Sequence, residues 1–318
     1  MSIQRTQKLM TERLGQQRTN IYGDIGTVIG FDNNSSVQII IKINNNENKI
    51  CHTNWYDFDT GHFYYQFRTD RIGAGNINCQ DQYMQIIEYR CEKDIDVLFP
   101  ETGYVAQHVR YGTFCDGKIK DPLTPSVYGL GYIGIGEYNC RSRYLGLNIY
   151  QYWVGIIERV FIPRNNGKIS VGYEGCDVVD EWLNLQNFAK WFIENAYIIQ
   201  NEKMQIDKDI LIKHNRIYGP DTCCMVPCEI NNLFIKRKKD RGLYPIGVTK
   251  NRYNKYVAQI ARKRLGTVTG IFETSEEAFV FYKEKKEEYI KYVADIYKDQ
   301  IPQKVYDALY AYEVEITD

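Results

Sequence analysis

The 318 residues include 40 basic and 40 acidic side chains, so no global field draws the chain to nucleic acid or membrane, and any such attraction must be local. That length suits several modest cores rather than one. Nine cysteines, an odd number without framework spacing, argue against a disulfide scaffold.

No apolar run approaches the ~18–20 residues of a bilayer span, and Met1–Arg5 does not open a leader. A reduced, cytoplasmic protein away from membranes is therefore expected. The 27 tyrosines stand out, each able to pack while keeping a hydroxyl for a polar partner.

The first 120 residues repeat. Arg13-Leu14-Gly15 returns as Arg71-Ile72-Gly73, and the same offset pairs Ile29 with Ile87 and Phe31 with Tyr89. After a two-residue slip, Asn54–Gly61 matches Arg110–Gly117. Alternating apolar residues and Gly or Asn turns predict two tandem β-barrel-like units, residues 1–63 and 64–121. Their basic residues, among them Arg13, Arg71, Arg90 and Lys118, are interleaved with acids. A solvated surface, a phosphate-binding face and a protein-packing face all fit that pattern.

Asp121-Pro122-Leu123-Thr124-Pro125 breaks the β pattern and opens a Gly/Pro-rich linker over 122–148, expected to be flexible or tightly turned. Apolar residues then recur at helical spacing through Tyr150, Trp153, Ile156 and Ile157, and again through Trp182, Phe188, Trp191 and Phe192. These predict helices whose aromatic faces are core. Cys224 and Cys228 make only one pair, with Cys223 adjacent, so buried thiols are expected in preference to zinc.

Residues 204–234 read as strand, turn, strand and short helix. Met204 to Leu211 is β-prone and holds two acids, Asn215-Arg216-Ile217-Tyr218-Gly219-Pro220 turns, and Met225-Val226 leads to Ile230-Asn231. This wording resembles phage-encoded HNH-type nucleases, and the resemblance implies a ββα domain over 149–235. It also implies Mg²⁺ or another divalent ion held by Asp207, Asp209, Asn215 and Asn231. Lys208 stands where that family shows the histidine that deprotonates the attacking water, and an ordinary lysine is protonated at neutral pH. The base would then be His214 or a group the motif does not mark, so the catalytic candidates are Asp207, Lys208 and His214.

From Lys236 to Arg264 eleven basic residues face one acid, Asp240. Such segregation within a neutral chain suits a phosphate-binding face. Strands are expected at Gly247-Val248, Tyr256–Ile260 and Thr267–Phe272, with Thr274 or Ser275 capping a helix whose first turn is acidic. A last helical stripe, Val305-Tyr306-Leu309-Tyr310, closes the module. Gly247-Val248, Tyr256, Ala258, Ile260, Gly270, Phe272, Thr274, Glu276-Glu277-Ala278 and Tyr282 resemble the APETALA/ethylene-response-factor DNA-binding domain. The resemblance implies that residues 236–318 meet double-stranded DNA through Lys250, Arg252, Lys255, Tyr256, Gln259, Arg262 and Arg264.

The expectation is an α+β multidomain chain of phage type. Its function is DNA binding with a nuclease motif altered at Lys208. The alternative is an inactive binding protein that regulates, or blocks a host defence nuclease. A host protein partner and homo-oligomerisation both remain open.

Overall fold

A computed structural model describes residues 12–20, 23–31, 38–44, 49–62, 71–164, 167–170, 172–235 and 244–316. It is mixed α+β, built from several small, mostly antiparallel sheets, and divides into two compact units at Thr124/Pro125. No described helix is long and apolar enough to cross a membrane.

The first unit holds the repeat. Strands β1 (Gln17–Thr19), β2 (Ile25–Phe31), β3 (Gln38–Asn44) and β4 (Lys49–Asn54) form an antiparallel meander, followed by helix α1 (Trp55–Asp59). The second copy gives β5 (Gly75–Ile77), β6 (Tyr83–Cys91), β7 (Asp94–Phe99), β8 (Tyr104–Val109) and helix α2 (Tyr111–Cys115) in the same order.

The likeness extends to single hydrogen bonds. Gly15 N–H donates to the Val28 carbonyl and Gly73 N–H to that of Ile86, while Asn20 and Asn78 each accept a turn N–H on the side chain. Both copies also carry a bulge in the second strand, at Val28/Gly30 and Ile86/Glu88. Val28 opposes Ile41 whereas Ile86 opposes Val97, so the second copy is shorter between these partners, which accounts for the slipped offset.

Neither sheet closes into a barrel among the described residues, which corrects the barrel expectation. The chain just after the three-residue edge strand β5 meets the segment after α2 through isolated bonds instead. Cys79 N–H donates to the Gly117 carbonyl, and the Asn78 amide donates to that of Ile119. Arg13 pairs with Asp59, Arg71 lies 4.0 Å from the Tyr111 ring centroid, and Lys118 meets Asp116.

The second unit begins with the Gly-dense stretch, which is tightly turned and closely packed. A Cβ on Gly131 would lie 2.6 Å from Ile157 and 2.8 Å from Trp153. The short hairpin β9 (Arg143–Tyr144) and β10 (Leu147–Asn148) leads to helix α3 (Ile149–Phe161), capped by the Asn148 side chain. Strand β11 (Asp177–Val178), a 3-10 turn (Asp180–Leu183) and helix α4 (Leu185–Asn195) follow. Trp153, Trp182, Phe188 and Phe192 are all buried in one core with Met204, Ile206 and Met225.

Those last three residues belong to β12 (Met204–Asp207) and β14 (Cys224–Pro227), paired antiparallel with Asp207 opposite Cys224. Helix α5 (Cys228–Asn232) completes a ββα arrangement. The connection between the strands is no tight turn, however. It spans residues 208–223 and includes β13 (Ile217–Tyr218), which pairs in parallel with β11. Ile210 and Leu211, expected in the strand, lie in the bend after Asp207. Two tyrosines satisfy the ladder's outer carbonyls, Tyr152 at Met204 (2.9 Å) and Tyr197 at Met225 (2.8 Å).

Strands β15 (Val248–Lys250), β16 (Tyr256–Arg262) and β17 (Gly266–Phe272) form an antiparallel sheet in that order. Helix α6 (Ser275–Tyr297) lies against it, its start fixed by a reciprocal capping box between Thr274 and Glu277. Gly247, at φ +73°, passes so close to Tyr282 that a Cβ would fall 2.0 Å from the ring. The basic run Lys236, Arg237, Lys238, Lys239 and Arg241 lies outside the described residues.

Helix α6 serves two cores. Its first half gives Ala278 and Tyr282 to the cluster with Val248, Ala258 and Ile260. Its second half gives Tyr289, Ile290, Val293 and Ala294 to the cluster under the ββα hairpin, with Cys224, Val226 and Ile230. Helix α7 (Gln303–Tyr310) adds Val305 and Leu309 to that second cluster. The ββα hairpin and the three-stranded sheet are thus joined through helix α6.

Candidate nucleic-acid interface and the bend after Asp207

Strand β12 stops at Asp207 because its side chain turns the chain. Asp207 Oδ1 accepts the N–H groups of Asp209 and Ile210, both at 2.8 Å, and so competes with continued pairing. Burial, with the Asp209 carboxylate next, pushes the Asp207 carboxyl up to about 7. Lys208 is buried, its Nζ 3.3 Å from Asp209 Oδ2 and 5.9 Å from the Tyr218 ring centroid. This ammonium offsets part of the paired negative charge, as a metal would otherwise do.

The other predicted site residues do not complete a metal shell. Asn215 braces the bend, its amide donating to the carbonyls of Lys208 (2.6 Å) and Ile217 (2.7 Å). Asn231 donates to Gln205 Oε1 at 2.5 Å. His214, at φ +63°, meets Glu315 through Nε2 at 3.1 Å. Two carboxylates beside a buried ammonium, with Asp207 Oδ1 already accepting two N–H groups, are a poor fit for a divalent ion. The residues present thus do not fit the implied metal.

A different trio, Asp94, Asp96 and His108, has ligand atoms that lie within 4.8 Å of one another, the only such cluster among the described residues. Sequence reading passed it over because its members sit on two strands of the second repeat. Arg90 occupies its centre. Nη2 lies 2.7 Å from Asp94, 2.5 Å from Asp96 and 3.3 Å from His108 Nδ1. The guanidinium holds both carboxyls below their usual range and neutralises the position a cation would take. Cys223 and Cys224 are buried, and desolvation pushes the Cys223 thiol up to about 12, unlike the thiolate that zinc requires.

The three-stranded sheet presents a different chemistry. Ala258, Ile260 and Val248 point to α6, so alternation turns Thr249, Val257, Gln259, Ala261, Thr267, Thr269 and Ile271 outward. Cross-strand register sets Val257 between Thr249 and Ile271, and Gln259 beside Thr269. That face has no charged residue within its rows.

Basic residues border it at both ends. Lys250 and Arg252 stand at the β15–β16 turn, where Lys250 Nζ lies 5.4 Å from the Tyr256 ring centroid and the Arg252 guanidinium 4.7 Å from that of Tyr253. Arg262 and exposed Lys263 stand at the β16–β17 turn, with Arg262 donating to the carbonyls of Leu265 and Gly266.

Two predicted contacts are committed elsewhere. Lys255 pairs with Glu273. Arg264 grips Glu229 of α5 with Nε to Oε1 at 2.9 Å and Nη2 to Oε2 at 2.6 Å. The Tyr297 hydroxyl lies 2.9 Å from both the Glu229 and the Glu202 carboxylate, with one proton to share between them. The sheet's turn is thereby fastened to the ββα helix.

Comparison with protein-family models, curated proteins and solved structures finds no match to this chain.

Proposed function

We propose that the chain binds double-stranded DNA through the outward face of β15–β17 and does not cleave it. The observation that carries this reading is the sheet itself, whose outward face sets Thr249, Gln259, Thr267 and Thr269 among the apolar Val257, Ala261 and Ile271, with basic turns at either end. Uncharged donors and acceptors suit base edges, whereas Lys and Arg at the margins suit phosphates. A sheet face of this kind fits the width of a major groove. The resemblance to the APETALA-type pattern supports the same docking mode. The residues of that pattern also form the interior that keeps the sheet on its helix.

The absence of cleavage follows from chemistry at the bend. Hydrolysis by this route needs a base beside the scissile phosphate and a cation to carry developing charge. Lys208 is buried against Asp209, His214 meets Glu315, and Asp207 Oδ1 already accepts two backbone N–H groups.

The test is a duplex gel-shift salt series on the full chain, with a supercoiled plasmid incubated in Mg²⁺ or Mn²⁺ in parallel. Binding without nicking is the expected result. Nicking that disappears in Asp207→Ala would restore the nuclease. Binding to no nucleic acid would favour a protein partner instead.

A further inference from the structure

We propose that Lys213 and His214 form a seat for a backbone phosphate of nucleic acid, which the chain's own Glu315 occupies. This rests on the duplex-binding reading and adds a second contact surface to it. The segment Tyr312–Ile316, which follows α7, lies across the bend after Asp207. Glu315 offers one carboxylate oxygen to each side chain, Oε1 at 2.9 Å from Lys213 Nζ and Oε2 at 3.1 Å from His214 Nε2. Two oxygens of one phosphate would span the same two donors, so the carboxylate stands in for that group. Lys213 also donates to the Glu313 carbonyl at 2.5 Å, and its Nζ lies 4.9 Å from the Tyr312 ring centroid.

The seat is built rather than incidental. Asp209, Lys213, His214, Phe234 and Tyr312 line a recess there, and Phe234 and Tyr312 meet at 4.7 Å between ring centroids. His214 adopts the left-handed backbone region, which an L-residue occupies only when its surroundings hold it there. Lys213 and His214 hold the Glu315 carboxyl below its ordinary range.

The strap is anchored apart from the carboxylate. Val314 is buried, its N–H donates to Glu287 at 2.7 Å and its carbonyl accepts from Lys283 at 2.9 Å. Glu315 is half exposed and can yield its place while Val314 stays docked.

The experiment compares Glu315→Ala with Glu313→Ala in the full chain, measuring duplex affinity across a salt series. Both variants remove one negative charge from the same segment, but only the first vacates the seat. For Glu315→Ala the expected result is roughly three- to tenfold tighter binding and a salt slope steeper by about one. Glu313→Ala should tighten binding less than about twofold, and adding Lys213→Ala to Glu315→Ala should return affinity to the wild-type value. Equal behaviour of the two single variants would overturn the seat while leaving the sheet reading intact. Failure of the wild-type chain and every variant to bind duplex would overturn the sheet reading, and the seat with it.

Discussion

Arg264 and Glu229, thirty-five residues apart, form a two-pronged ion pair in which the carboxylate side chain is 3% exposed and the guanidinium 39%. The pair is lopsided. The arginine could find water if released, whereas the glutamate could not.

Arg264→Ala should therefore cost about 2–3 kcal/mol in urea unfolding, because it strands a buried charge with only Tyr297 as donor. Lys255→Ala, breaking the exposed pair with Glu273, should cost under about 1 kcal/mol. The Glu229 carboxyl is held below its usual range by Arg264. Its contribution to stability is therefore present at neutral pH and lost as pH falls below the ordinary glutamate range of about 4.3. Equal losses from the two substitutions would contradict this assignment.

Asp207 has the opposite sign. Its carboxyl titrates near 7 in the folded chain, mainly through burial, so the folded state holds a proton that the unfolded state has released. Stability should fall as pH rises from about 4 to about 7, by on the order of 1 kcal/mol per pH unit. Asp207→Asn keeps an oxygen to accept the Asp209 and Ile210 N–H groups but loses the titration. Its unfolding free energy should be flatter over that window, as denaturant titrations at several pH values would reveal.

The turn asparagines of the repeat carry more than their size suggests. Asn78 is buried, accepts N–H groups from Gln80 (2.8 Å) and Gln82 (3.0 Å), and donates to the Ile119 carbonyl (3.0 Å). Asn78→Ala should destabilise the first unit by about 2–3 kcal/mol, since buried backbone groups lose their partners. Hydrogen exchange of the Gln80 and Gln82 amides should rise well above that in the second unit.

On the sheet face, substitutions should separate by type. Gln259→Ala should weaken binding to a preferred duplex site by about 1–3 kcal/mol and leave the salt slope unchanged. Lys263→Ala and Arg252→Ala should weaken all duplexes alike and make the slope shallower by about one each. A shallower slope for Gln259→Ala would remove it from the face.

Local patterns in the chain carried far, and long-range pairings did not. The tandem units were legible because residues such as Gly15 and Gly73 recur with their neighbours, and the helix start because Thr274 precedes Glu276 and Glu277. The ββα order was readable from apolar alternation. Its connection was not, since the Ile217–Tyr218 strand pairs with Asp177–Val178, forty residues upstream. Barrel closure was over-read, because alternation reports a half-buried sheet and says nothing of whether its edges meet. Neither the Arg264–Glu229 pair nor the approach of Glu315 to His214 leaves any mark on local spacing. The resemblance therefore implied a DNA contact at Arg264, whose guanidinium the fold engages with Glu229.

The double allegiance of helix α6 bears on how this protein can be divided. A fragment starting near Lys236 would keep the sheet yet bare Tyr289, Ile290, Val293 and Ala294 to solvent, and such a piece would aggregate. Recombination that tried to graft the C-terminal module onto a new host would meet the same obstacle.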